Sequence, residues 1–206
     1  MNKLLPLVAL LILFCSENGK NTSHFLTSKK STKKNSIIQD QYQKYNSLFK
    51  KNPEFIATSF DYPIGKPNAK GYYNAQKFKE NDHLGDDWNG VGGGNTDLGD
   101  PIYAIANGYI SFAKDIKGGW GKIIRIIHKY KGKYYESVYA HCNSIHVNEG
   151  DFVKKGTLIA TIGNANGMYL AHLHLEIRDN IYMDIGGGYG KNTSGYLDPT
   201  KFINNN

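Results

Sequence analysis

Residues 102–113 read IYAIANGYISFA. Two runs of β-branched and aromatic residues flank Asn107-Gly108, the dipeptide that most strongly marks a tight turn between antiparallel strands. The stretch therefore reads as a β-hairpin. The text after it continues in the same manner: KIIRIIHKY (122–130), KYYESVYAHC (133–142), DFVKKG (151–156) and TLIATIG (157–163), punctuated by glycines. Strands recurring about every 8–12 residues, with no sustained helical period and no internal repeat, predict an all-β domain of antiparallel type. The last strand of the series, AHLHLEIR (171–178), is unusual. Alternation puts Leu173, Leu175 and Ile177 on one face and His172, His174 and Glu176 on the other. A surface strand normally offers Lys, Thr or Glu to water; this one offers two imidazoles side by side.

Composition agrees with a β-rich globular protein. The chain has 206 residues, enough for one compact domain with appended segments. Hydrophobic residues make up 40% and aromatics 13%, with 15 Tyr and 23 Gly, which supports a real core and many turns. The first fifteen residues, MNKLLPLVALLILFC, stand apart. A basic Lys3 precedes an apolar run from Leu4 to Phe14, which has the shape of an export signal and is too short to span a bilayer. Cys15 with Ser16, Glu17 and Asn18 resembles the lipidation site of bacterial lipoproteins, although Phe14 stands where that site prefers a small residue. Lipid attachment and plain cleavage both remain open, and the protein is expected in the periplasm or cell envelope. Once the signal is processed, Cys142 is left without a disulfide partner.

Residues 16–54 read as a polar, basic linker, and residues 55–206 as the folded domain. Ile37 to Phe49 is weakly apolar and could form a short helix, but no neighbouring sequence offers a surface to bury it against. The net charge of +7 belongs to this front part: Ser16–Glu80 carries 12 Lys against 5 acids, whereas Asn81–Asn206 carries 12 Lys and Arg against 13 acids. A nucleic-acid-binding domain would carry its basic face on the fold, so nucleic acid is excluded as a partner. KKSTKK (29–34) reads as a solvated tether, or as a weak attraction to anionic envelope polymers or lipid head groups.

Of the seven histidines, His24 lies in the linker. His83 and Asp87 are separated by three residues in HLGDD, His141 ends the strand VYAH, and His172 and His174 share a strand face. A catalytic zinc takes three ligands from His, Asp and Glu and leaves a fourth position for water, whose pKa it lowers from about 15.7 to near 7. His83, Asp87 and His174 would make such a set, with His141 and His172 left as free imidazoles. Alone, an H-x-H pair on a strand is weak evidence; its coincidence with HLGDD and a strand-terminal histidine is much stronger.

HLGDDW, VYAH and AHLHLEI, in this order and spacing, resemble the lysostaphin-type (LytM-like) zinc endopeptidases. The resemblance covers about residues 55–203, and GDPIYAIANGYI and NEGDFVKKGTLIATIGNANG fit the strands of that family. It implies a β-sandwich or half-barrel of the duplicated hybrid motif type behind an exported tether. It also implies one zinc held by His83, Asp87 and His174, and His141 and His172 acting on water and oxyanion. Peptide bonds of the peptidoglycan stem or crossbridge would be the substrate. Ala165-Asn166 and Leu170-Ala171 replace the Thr-Gly and Gly-Pro usual before the H-x-H, which alters the groove wall and hence the crosslink cut. GVGGGN (90–95) could form another rim; a phosphate cradle is disfavoured because no Lys-Ser/Thr or helix follows it.

Each candidate has a plainer reading beside it. Asp86 and Asp87 could both be loop acids, although only Asp87 has the matching spacing from His83. His128 and His146 read as structural. Cys142 reads as a small core residue facing away from His141. Glu176 is either a partner for an imidazole N–H or a surface carboxylate. Trp88, Trp120, Tyr72 and Tyr73 line a groove or are simply buried. Two other functions compete: a non-catalytic peptidoglycan-binding or amidase-activator module on the same fold, whose known examples generally lack some metal-site residues, and a lipoyl-type carrier barrel with similar strand text. The carrier reading leaves the clustered histidines unexplained.

Overall fold

The computed structural model describes residues 39, 40 and 42–206. The expected export signal (1–15) with Cys15, and most of the expected linker, lie outside the described residues. The strands are β1 (Tyr72–Gln76), β2 (Asp86–Gly90), β3 (Pro101–Tyr103), β4 (Gly108–Asp115), β5 (Lys122–Tyr130), β6 (Lys133–Cys142), β7 (Ser144–Ile145), β8 (Phe152–Val153), β9 (Leu158–Thr161), β10 (Leu173–Arg178) and β11 (Tyr196–Leu197). One sheet runs β1-β2-β10-β6-β5-β4-β8, with β11 also on β10; a smaller sheet runs β3-β9-β7. All the pairings are antiparallel, so the all-β antiparallel class holds. The core lies between the two sheets: Ile102, Ile159 and Ile162 meet Ile124, Ile126, Tyr139, Leu173 and Leu175, all essentially without exposure. Fully burying each such side chain contributes about 1.5–3 kcal/mol.

Asn107-Gly108 is a corner and not a hairpin turn. β3 pairs with β9, while β4 pairs with β5 and β8. The reason is local. Gly108 is absent from the positive-φ residues that a two-residue hairpin turn would need. A Cβ there would instead lie 2.6 Å from Ile126 and 2.8 Å from His128, so the glycine serves a close approach to β5. Asn107 is occupied with distant backbone: its Nδ2 donates to Glu54 O at 3.1 Å and its Oδ1 accepts from Lys155 N at 2.8 Å. The chain thus passes from the small sheet to the large one at this point.

The expected linker also ends differently. The compact unit starts at Tyr45, inside a helix whose residues 45–51, labelled α1, belong to it. Tyr45 and Phe49 are buried in a second cluster with Tyr109, Ile127, Tyr134 and Ile181. Phe49 meets Phe152 edge-on at 5.9 Å and Tyr134 at 6.0 Å. The partners that the apolar stretch lacks nearby in sequence come from strands 60–100 residues on, which no local pattern announces. α1 and Ile181 cover residues of β4, β5, β6 and β8, while the backbone of Asp184 and Ile185 lies over Arg178 of β10, all six of whose residues are buried.

At the other end, α2 (Pro199–Asn205) begins at Asp198, whose side chain accepts from Lys201 N and caps the helix. Asp86 fastens it to the sheet, accepting from Thr200 Oγ1 at 2.6 Å and from Thr200 N at 3.1 Å. The other oxygen of Asp86 accepts from Phe78 N at 2.9 Å. Asp86 is therefore a buried anchor, not a loop acid.

His128 is fully buried, bonded to Asn107 O at 2.9 Å and to Ser137 Oγ at 2.7 Å. Burial depresses its pKa to about 4, against the slight upward pull of the Asn107 carbonyl. The ring is neutral when folded and takes a proton more readily when unfolded, so its contribution is complete above about pH 6.5 and is lost as pH falls towards 4. Urea unfolding of the wild type should lose about 3 kcal/mol over this window relative to His128→Asn. Parallel pH profiles for the two proteins would show that His128 is not the titrating group.

Candidate active site

The pairing of β2 with β10 builds the site. In this register Asp87 stands directly opposite His174, with Trp88 opposite Leu173 and Asp86 opposite Leu175. Directly opposed residues share a face. Asp87 and His174 therefore project together from the outer face, while Asp86 and Trp88 turn to the core. His83 arrives from the turn before β2 and bridges to Tyr189 across the cleft. The strands can come this close because Gly85 has no side chain: a Cβ there would lie 2.5 Å from Leu175 O and 3.0 Å from the His174 ring.

The three side chains meet at their tips. His83 Nε2 lies 3.0 Å from His174 Nδ1 and 3.3 Å from Asp87 Oδ1, and His174 Nδ1 lies 2.9 Å from Asp87 Oδ1. Four ligands placed tetrahedrally at zinc's usual bond length of about 2.05 Å stand about 3.3 Å apart, so this triangle of donor atoms fits the ion closely. Among the described residues it is the only grouping of three or more such side chains close enough to hold a metal.

His141 joins the group through an irregularity. Simple alternation along β6 would put Ala140 on the His174 side and His141 with Tyr139 in the core. His141 has φ of +61°, in the left-handed region, which swings its ring back over the outer face. Its ring centre then lies 5.7 Å from His174 and 4.7 Å from His172. Cys142, the next residue, returns to the core and is a free thiol. His172 is placed by a bridge to Gly163. Its Nδ1 lies 2.8 Å from Leu170 O, so Nδ1 carries the proton and Nε2, 3.9 Å from Asp87 Oδ1, is left for the cleft.

The field at the site is strongly polarised. Burial opposes charge on Asp87, but hydrogen bonds from His174 and His83 override it and hold the carboxyl below the usual range. Burial likewise opposes charge on His174, yet hydrogen bonds to Asp87 and Glu176 raise its pKa to about 9. A ring between two carboxylates draws positive charge, whether a proton or a metal cation. His141 has no such partner, and burial, then His172 and His174, lower it to about 3.

These residues floor a cleft of about 480 Å³ walled by Trp120 and Tyr169 on one side and Gly187, Gly188 and Tyr189 on another. Trp120 stacks near His141 at 6.4 Å, Tyr169 meets it at 5.1 Å, and Tyr189 lies 5.0 Å from His83. Trp88 is in the core, and Tyr72 packs against it. Tyr73 is exposed away from the cleft, as is His146, which bonds Ser144 Oγ at 3.0 Å. The glycine-rich 90–95 segment does not line the cleft itself; Asn95 Oδ1 accepts from Ala171 N at 2.8 Å and steadies the approach to His172. Glu176 is fully buried, not a surface carboxylate, and its Oε1 lies 3.2 Å from His174 Nε2. Tyr169 and Tyr189 escape the sequence reading because nothing in their local pattern distinguishes them from the chain's many other tyrosines.

The antiparallel sheet thus carries, in an open cleft, a His-Asp-His cluster whose donor atoms could hold a metal ion. Residues 87–185 match the model of peptidase family M23. Over 80 residues the chain is 41% identical to lipoprotein NlpD of Yersinia enterocolitica, covering 39% of this chain and 78% of that one. It is 39% identical over 80 residues to the murein hydrolase activator NlpD of Escherichia coli, covering 39% of this chain and 20% of that one. A putative M23 peptidase from Pseudomonas aeruginosa shares the fold, with a TM-score of 0.51 and 20% identity over 77% of this chain and 60% of that one. The chain belongs to peptidase family M23, as its motifs imply. The chain spans only a fifth of the length of the E. coli relative.

Gly85→Ala should open the β2–β10 pairing and spread the donor triangle. The expected result is a stability loss of about 1–3 kcal/mol, the usual cost of forcing atoms into a packed site, together with weaker zinc binding measured by chelator competition. Unchanged values for both would show that the close approach at Gly85 is dispensable.

Proposed function

We propose that this protein is a zinc-dependent endopeptidase that hydrolyses peptide bonds in the stem or crossbridge of peptidoglycan. The observation that carries the reading is the convergence of five side chains, three as a donor triangle and two as free imidazoles, in one open cleft. His83 through Nε2, Asp87 through Oδ1 and His174 through Nδ1 would hold the ion. When bound there, zinc supplies Lewis acidity, which polarises a carbonyl and makes water nucleophilic near neutral pH.

The remaining chemistry belongs to the chain. His172 Nε2, whose lone pair is kept free by the bond from Nδ1–H to Leu170 O, accepts a proton from the attacking water. It then returns that proton to the departing amine. His141, steadied between Trp120 and Tyr169, donates a hydrogen bond to the oxyanion as charge develops. Trp120, Tyr169 and Tyr189 line the cleft with flat, neutral surfaces that suit an extended peptide and hold it in place.

The setting is the cell envelope. The expected export signal and Cys15 support it, as do relatives named lipoproteins. No helix of the described residues is long and apolar enough to cross a membrane. A tether through Cys15 would keep the domain at a membrane surface within reach of peptidoglycan.

A second reading is favoured by the relatives named murein hydrolase activators: the cleft would bind without cutting. The assembled donor triangle with two imidazoles beside it is what metal-assisted hydrolysis uses, and it supports catalysis over binding alone. Elemental analysis after metal-replete purification, with mass spectrometry of digested peptidoglycan, separates the two. One zinc per chain and newly cleaved peptides are expected; an intact, zinc-free protein that leaves peptidoglycan uncut would sink the enzyme reading. His174→Ala should lose the zinc. His141→Ala should keep it and lose rate by about 10²–10⁴-fold, and normal digestion by that variant would remove His141 from the mechanism.

A further inference from the structure

The outer face of β10 carries His174, Glu176 and Arg178 in succession, with side-chain exposures of 4%, 0% and 0%. Beside them lie Glu136 of β6, opposite Arg178, and Arg125 of β5. The charges form one unbroken chain. Arg125 forks Glu136 at 2.8 and 2.9 Å, and Arg178 Nη1 reaches Glu136 Oε2 at 3.5 Å. Arg178 then grips Glu176 Oε2 with Nε at 2.8 Å and Nη2 at 2.5 Å. The other oxygen of Glu176 turns to His174 Nε2. Apolar residues of similar volume would stabilise such a face as well or better, so stability alone is a weak account of two buried Arg-Glu pairs.

Arg178 has a second set of bonds. Its Nη1 donates to Asp184 O at 3.1 Å and its Nη2 to Ile185 O at 2.7 Å, while Arg125 donates to Met183 O at 2.8 Å. The backbone held there runs directly into the cleft wall. Gly186 O accepts from Trp120 Nε1 at 3.1 Å, and Gly188 O accepts from Leu84 N at 2.9 Å, next to His83.

We infer that Arg178 is a positioning residue that sets the ring of His174 through Glu176 and sets the Gly186–Tyr189 wall through the carbonyls of Asp184 and Ile185. One guanidinium thereby fixes a donor atom and the wall facing it in a common frame. A planar fork with five donors spread over three nitrogens grips Glu176 at two points and serves two carbonyls at once; the three donors of an ammonium radiate from one atom and cannot make all four bonds. The ligand half of this inference rests on the metal reading above, and the wall half stands without it.

The test uses the full chain as wild type, as Arg178→Lys and as the charge-balanced pair Glu176→Gln with Arg178→Met. Zinc affinity is measured by chelator competition and site geometry by the Co²⁺ absorption spectrum. The wall is read from the indole N–H resonance of Trp120, assigned against a Trp88→Phe control, since the chain has 2 tryptophans. The double variant should bind zinc at least about tenfold more weakly, the lower end of the usual effect of removing such a partner. Its Co²⁺ bands and its Trp120 resonance should both move. Arg178→Lys should recover part of the zinc affinity, because a charge still faces Glu176, while the Trp120 resonance stays displaced. Folded variants with zinc affinity within about twofold of wild type and an unmoved Trp120 resonance would overturn the inference, whatever their melting temperatures. If the double variant does not fold, Arg178→Lys decides between these outcomes by itself. Wild-type protein that takes up no zinc would defeat the metal reading and the ligand half with it, and the Trp120 resonance would still decide the wall half.

Discussion

The site depends on one register. Sliding β2 by a single residue against β10 would send Asp87 into the core and bring Asp86 out, because side chains alternate with period two. The register is held from both faces. On the core side, Trp88 packs opposite Leu173, and Asp86 is tied to Phe78 and Thr200. On the outer side, Asp87 and His174 bond each other directly. Two adjacent aspartates thus have unlike duties set only by which way each points: one secures the strand, and the other faces the cleft.

Around that register, where Asp87 and His174 sit on paired strands, the chain places the other three groups at breaks in regular structure. His83 follows a turn in which Asn81 and Asp82 both have positive φ. His141 is itself left-handed, and His172 sits where a loop rejoins the sheet across Gly163. A Cβ on Gly163 would lie 2.2 Å from His141 O, so this loop approaches β6 backbone to backbone. Strand interiors could not bring four imidazoles to one point, because their side chains stand too far apart in fixed rows. The sheet supplies rigidity, and the irregular ends supply convergence.

Much of this was legible in the sequence. β-branched runs and their glycine punctuation marked β4, β5, β6, β9 and β10, because burial on at least one face leaves a local trace. The four histidines and the aspartate of the cleft were marked by residue type and spacing. Long-range geometry was not legible. Asn107-Gly108 looks like a hairpin turn because that dipeptide usually supplies positive φ; here close packing against Ile126 and His128 is what demands the glycine. Tyr45 and Phe49 looked solvated because their aromatic partners are distant in sequence. Nothing in AHLHLEIR says that a later segment will fold over Arg178.

The buried charges explain why that later segment matters. Glu176, Arg178 and Glu136 would be expensive to leave on an open face stripped of water and unpaired. They are tolerable because each finds a partner, and the partners include carbonyls of Met183, Asp184 and Ile185. The covering segment is therefore part of the electrostatic balance of the sheet and not a lid laid over a finished surface. The same segment continues into Gly187, Gly188 and Tyr189, so the pairing of the charges on β10 and the placing of the cleft wall share the same hydrogen bonds. A face that leucine could fill as stably instead ties the sheet to the wall of the cleft.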